Sequence, residues 1–196
     1  MPGPAPTTLT NSQAARRQRV LQAALRLAAD GGYDAVQMRD VAATAGVALG
    51  TIYRYFPSKD ALLGAAMVEW MEDLERRLAR RGPQGATTAE RVSDVLRRAI
   101  ATMERQPQLS EAVITALVSD DRRAASSFAA VTDLLLRVLA QAFPDDVAPD
   151  TEAVISKVLG HVWFSCLIAW RNGVGDLGWV AEELEAAAHV LCDHLG

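Results

Sequence analysis

Cysteine is scarce in this chain, with only Cys166 and Cys192 among 196 residues. Both stand in apolar helical contexts, so a disulfide framework is excluded. Reduced, buried thiols of a cytosolic protein are expected instead. No upstream Cys or His pair stands at zinc spacing. His189, Cys192, Asp193 and His194 gather near the end, but on a helix His194 points away from the other three, so no metal is expected. No glycine-rich nucleotide loop is present, nor a convincing pair of acid and base residues. His161 and Cys166 read as a polar point in an interface, not as a base and a nucleophile. An enzyme or metal protein is therefore the poorer reading, and no cofactor is expected. The opening MPGPAPTTLTNS lacks the charge and apolar core of a signal peptide. The longest nearly apolar run, Val158–Trp170, is interrupted by His161 and too short for a bilayer. A cytoplasmic protein without membrane contact is the expectation. A basic surplus is missing too: the net charge is −4, which is not the balance of a general nucleic-acid binder. Runs of β-branched residues are short.

What is present reads as helix. Half the residues are hydrophobic, and Leu, Ala, Val, Arg and Glu dominate, so an all-α fold with a sizeable core is expected. Nine helices are predicted: from about Ser12 to Asp30, ended by Gly31-Gly32; 37–45; 48–55; after Ser58 to about Arg81; Thr88–Glu104; 107–119; from a cap at Ser119-Asp120-Asp121 to about Phe143; Asp150–Arg171; and from Asp176 or Gly178 to about His194. Residues 1–11 read as a disordered arm, 12–60 as one domain and 61–196 as a second. The fourth helix begins in the first domain and ends in the second. Charge divides the same way. Residues 1–62 carry seven basic and four acidic side chains, net +3, and the remainder is −7. A basic module on an acidic body suits a protein that touches DNA at one end only.

The most informative stretch is 37–60, QMRDVAATAGVALGTIYRYFPSKD. Val41, Ala42 and Ala45 make an apolar face behind Met38. Gly46 suits the tight turn between two short helices, and Val47 can plug the angle. Ile52 and Phe56, four apart, share the inward face of the second helix. Ala48, Leu49, Gly50, Thr51, Tyr53 and Arg54 are left outside, where small residues let a backbone come close to a phosphate or base edge. Tyr55 and Lys59 add a hydroxyl and a charge for phosphate contacts. Pro57 ends the helix, and Ser58 caps the next. The pattern is a helix-turn-helix that presents its second helix to duplex DNA.

On Ala42, Ala45-Gly46-Val47, Gly50-Thr51, Tyr53, Tyr55-Phe56, Ser58-Lys59 and Leu62, residues 14–63 resemble the DNA-binding domain of the TetR family of repressors. Gln37 and Ala48 depart from the family pattern, standing where it has Thr or Ser and often Ser. Both positions normally supply caps or phosphate contacts. GGYDAVQMRDVA and GTIYRYFPSK look more specifically like the actinobacterial repressors of sterol catabolism, the KstR-like group. That likeness continues at Arg105–Ala112 and Val154–Trp170. The resemblance implies a dimer on a palindromic operator, with Arg17 and Arg39 joining Gln37 and the residues above as DNA contacts. It also implies dimerisation through the last two long helices. Val158, Val162, Cys166, Leu184, Ala188 and Leu191 are the candidate interface, since a helix apolar on two sides needs two partners. Adaptable apolar side chains collect on the central helices: Met67, Trp70, Met71, Met103, Leu109, Val113, Leu117, Phe128, Val131, Leu135, Trp163, Leu167 and Trp170. They could form a plain core or line a pocket for a bulky apolar effector. The likeness to the sterol-catabolism group would make that effector a steroid or a long acyl thioester. A DNA-binding regulator that senses no small molecule is the alternative.

Overall fold

The computed structural model describes residues 10–122 and 125–195, so the reading of residues 1–9 as an arm lies outside the described residues. Among the described residues there are nine α-helices and no strand. They are α1 (Asn11–Ala35), α2 (Met38–Ala45), α3 (Leu49–Tyr55), α4 (Lys59–Arg80), α5 (Thr88–Glu104), α6 (Pro107–Leu117), α7 (Ala125–Ala140), α8 (Pro149–Arg171) and α9 (Leu177–Cys192). A short 3-10 turn, Asp193–Leu195, follows.

Local chemistry sets most boundaries. Thr10 Oγ1 accepts from the Gln13 backbone N–H, and Gln13 Oε1 accepts in return from the Thr10 N–H. This capping box starts α1 at Asn11, one residue ahead of expectation. The backbone leaves helical geometry at Gly31 and Gly32, so the straight helix ends at Asp30. A last turn beyond it carries Tyr33. Gly46 closes α2 at φ 65°, a conformation that costs a side chain with a Cβ and costs glycine little. Ser58 caps α4 by accepting from the Ala61 amide, and Thr87 and Glu90 form a second capping box at α5.

The seventh helix corrects the sequence reading. It starts at Ala125, and α6 already stops at Leu117. Ser119 Oγ accepts from the Asp121 amide at 3.3 Å, a turn in the segment between the two helices. Short polar side chains bond their own backbone two residues on as readily as they cap.

The head, α1 to α3, sits on the start of α4. Val20, Leu21, Ala24 and Ala28 of α1 are buried with Val41, Ala42, Ala45, Ile52 and Phe56. α1 also packs on α6, α4 packs on α6 and α7, and α5 packs on α9. α4 and α7 come close at Gly64, where an added Cβ would stand 2.7 Å from Ser127 Cβ. α8 as a whole is long and apolar enough to cross a membrane by length and composition, which the shorter run Val158–Trp170 did not reveal. It packs on α6, α7 and α9, with Ile155, Leu159, Trp163 and Leu167 among its buried residues.

Candidate DNA-reading head and candidate effector cavity

Ile52 and Phe56 hold α3 to the head from one side, which turns its other side outward. Ala48, Gly50, Tyr53 and Arg54 are exposed, with Leu49, Thr51 and Tyr55 half-buried beside them. The Arg54 guanidinium lies over the Tyr55 ring, 5.2 Å from its centroid, and so stiffens that edge. Arg39 is exposed on α2. Gln37 and Ala48 are the N-caps of α2 and α3, and neither supplies a side-chain cap. The Gln37 amide instead donates to the Asp34 carbonyl at 2.9 Å.

Two of the expected DNA contacts are engaged inside the protein. Lys59 Nζ donates to the Tyr33 carbonyl at 3.2 Å and lies 3.6 Å from the centroid of the Tyr33 ring. The Tyr33 hydroxyl donates to Asp60, and burial followed by that bond pushes its pKa well above the ordinary phenol value. Lys59 therefore ties the last turn of α1 to the start of α4. Arg17 Nη1 donates to Glu69 Oε1 at 3.3 Å, and its guanidinium lies 5.4 Å from the Phe56 ring centroid.

Between α4, α5, α6, α7 and α8 lies an apolar cavity of about 420 Å³. Met67, Trp70, Met71, Met103, Leu117, Phe128, Val131, Leu135, Trp163 and Leu167 line it, as do Leu74, Ala99, Ile114, Thr132, Leu136, Lys157, Gly160, His161 and Phe164, which the sequence reading left out. Helical spacing carries a signal for several of these. Leu74 continues the Met67–Trp70–Met71 stripe, while Thr132 and Leu136 extend the face of Phe128. Phe128 and Phe164 meet edge to face across the α7–α8 gap, with centroids 5.3 Å apart. Three expected residues are elsewhere. Val113 is packed in the core, and Trp170 is half-buried against that core outside the cavity wall. Leu109 lines a separate polar cleft of about 640 Å³ between α1, α4 and the α5–α6 turn. Trp70 stands in the wall of both spaces.

Of the expected interface residues, Leu184 and Ala188 of α9 are fully buried and Cys166 is buried as well, while Val158, Val162 and Leu191 reach the surface. A stripe predicted from one helix alone cannot distinguish the face turned to its own protomer from the face left open. The apolar side chains that are open are Val154 (62% exposed), Val158 (38%) and Val190 (82%), with Val162 and Leu191 half-buried nearby. Burial pushes both cysteine thiols up, Cys192 to about 11. His189 Nδ1 lies 2.9 Å from Asp193, and among the described residues no three His, Cys, Asp or Glu side chains are placed to hold a metal ion.

A helix-turn-helix head on an all-α body, joined by one long helix, defines the class of protein. The chain belongs to the TetR family. Residues 20–66 match the bacterial regulatory proteins of the tetR family, and residues 85–191 match the tetracyclin repressor-like C-terminal domain. It is 38% identical over 182 residues to the HTH-type transcriptional repressor KstR of Rhodococcus jostii (strain RHA1), a match covering 93% of this chain and 85% of that one. A TetR transcriptional regulator from Rhodococcus sp. RHA1 superposes with a TM-score of 0.82 at 28% identity, covering 92% of this chain and 97% of the other. Thermus thermophilus FadR, a TetR-family repressor in complex with lauroyl-CoA, shares the fold at a TM-score of 0.64 and 24% identity, over 89% and 92% of the two chains. These relatives are transcriptional regulators rather than enzymes.

Proposed function

We propose that this protein is a ligand-responsive transcriptional repressor that binds a palindromic operator as a dimer and is released by a bulky apolar effector. The observation that carries the reading is the path of α4. Its first turn is tied to the head through Lys59 and Asp60, and Met67, Trp70, Met71 and Leu74 further along wall the apolar cavity. An occupant of the cavity acts on the helix that supports the reading head. It releases DNA only through its differential affinity for two placements of that helix.

In this reading residues 12–60 are the DNA-binding domain and 61–196 the effector and dimerisation domain. Gly50, Thr51, Tyr53 and Arg54 face the major groove or its phosphates, with Arg39 beside them. Val154, Val158 and Val190 form the centre of the α8–α9 dimer face, which sets two heads at the spacing of operator half-sites. The effector is a steroid or an acyl thioester. Likeness to KstR and the apolar cavity wall support that class, as does the acyl-CoA complex of a protein with the same fold. Such a regulator works in the cytoplasm.

The test is an electrophoretic shift with the region upstream of its own gene. A retarded complex, released by one member of a panel of steroids, apolar acids and acyl thioesters, is the expected result. No retardation by any upstream fragment at low salt would sink the proposal.

A further inference from the structure

Two neighbouring residues of α4 hold different partners. Trp70 partitions the apolar cavity from the polar cleft beneath α1. Glu69, one position earlier, reaches α1 itself. One of its carboxylate oxygens accepts from Arg17 Nη1 at 3.3 Å and the other from Gln18 Nε2 at 2.8 Å. The Arg17 guanidinium rests in turn on Phe56, the residue that closes α3. A continuous set of contacts thus runs from the cavity wall to the foot of the reading helix.

α1 is held at other points too. It meets α6 across a packed surface, where the Gln108 side-chain amide lies 2.9 and 3.1 Å from the Ala29 and Asp30 carbonyls, and Tyr33 in its last turn is tied to Lys59 and Asp60. The Glu69 clamp is the directional contact that stands next to the cavity wall. A hydrogen bond at 2.8 Å is lost when its partners separate beyond about 3.5 Å, and helix shifts in switching proteins are about 1–2 Å. The Glu69 side chain is only 17% exposed, and burial pushes its carboxyl pKa up. Arg17 and Gln18 offset that effect, so Glu69 gains from closing the clamp.

We propose that Glu69 is the positioning residue through which occupancy of the cavity reaches α3. An occupant that presses Trp70 toward the open cleft shifts α4, draws Glu69 away from Arg17 and Gln18, and frees α1 together with the foot of α3. This rests on the reading of the cavity as the effector site and of the head as the operator-binding surface.

The experiment uses the full chain and a fluorescent fragment of the DNA upstream of its own gene. Binding is followed by anisotropy with and without anilinonaphthalene sulfonate as the cavity probe, and probe binding is read from the probe's own fluorescence. In the wild type the probe weakens DNA binding by about tenfold or more. Glu69→Ala binds the probe with unchanged affinity, binds DNA as weakly as the probe-loaded wild type, and loses the probe response to within about twofold. The volume-keeping Glu69→Gln shows the same loss in smaller measure, at an unchanged melting temperature. If Glu69→Ala and Glu69→Gln respond to the probe as the wild type does, the clamp is overturned and the functional reading stands. If the wild type binds the probe with no change in DNA affinity, the clamp is overturned; if it binds no upstream DNA, the functional reading falls and the clamp with it.

Discussion

Tyr53 is half exposed on α3 and Thr51 sits two residues before it, so the two project from different sides of the reading helix. Tyr53 has the reach for a phosphate, while Thr51 lies nearer the helix start, where base edges are met. Tyr53→Phe is expected to weaken binding to different operator fragments by a similar factor, and Thr51→Ala to change their ranking. A titration against a panel of single-base operator variants separates these outcomes, and the reverse pattern would show that the face has been assigned wrongly. Cys192 is buried, and its thiol is pushed up to about 11. At pH 8 only about one molecule in a thousand carries the thiolate, so native protein should resist iodoacetamide while urea-unfolded protein reacts. The folded state holds this proton more tightly than the unfolded one. The resulting stability is full below the ordinary thiol range and is lost as pH rises toward 11. Fast alkylation of native Cys192 at pH 8 would contradict the burial. At this scale the sequence made the outward residues of α3 legible, because Ile52 and Phe56 mark the inward side. It did not make the partners of Arg17 and Lys59 legible. Glu69 lies 52 positions from Arg17, and the Tyr33 carbonyl 26 from Lys59, far beyond the reach of local pattern.

Helix ends were readable wherever a glycine turn, a proline or a cap fixes them. Gly46 after α2, Ser58 before α4, Thr87 before α5 and Pro107 at the start of α6 all stand at observed boundaries. The Ser119-Asp120-Asp121 segment placed the start of α7 too early, because short polar side chains bond their own backbone in turns as well as at helix ends. One element contact gives a direct test. Gly64 lets α4 approach α7 so closely that a methyl group would meet Ser127 Cβ at 2.7 Å. Gly64→Ala is expected to push the two helices apart and cost about 1–3 kcal/mol despite its better helix propensity. Chemical denaturation measures it, and an unchanged or raised midpoint would count against so close an approach.

For the whole molecule, the exposed valines of α8 and α9 make the strongest demand. Val154 and Val190 line one shallow groove with Ile155 and Leu191, and monomers seldom leave such a groove bare without a use for it. The double substitution Val154→Asp with Val190→Asp places charge there without touching the buried face of either helix. Sedimentation velocity is expected to show a dimer for the wild type and a monomer for the variant, with operator affinity lost by tenfold or more as the second head is removed (about the factor one good half-site contributes). A variant that remains dimeric would move the interface away from this face.

The sequence by itself determined the helical identity of the segments, the helix-turn-helix with its outward residues, the basic head on an acidic body, and the family. Each of these is written in spacing over a few residues, in caps, or in charge along the chain. Tertiary structure alone decided which stripe of α8 and α9 turns inward. It also decided which of the Met, Trp and Leu residues border a space, and that Arg17 and Lys59 are held inside. Those outcomes depend on which helices meet. An apolar side chain carries no mark that distinguishes a neighbour in its own protomer from a cavity or an open face.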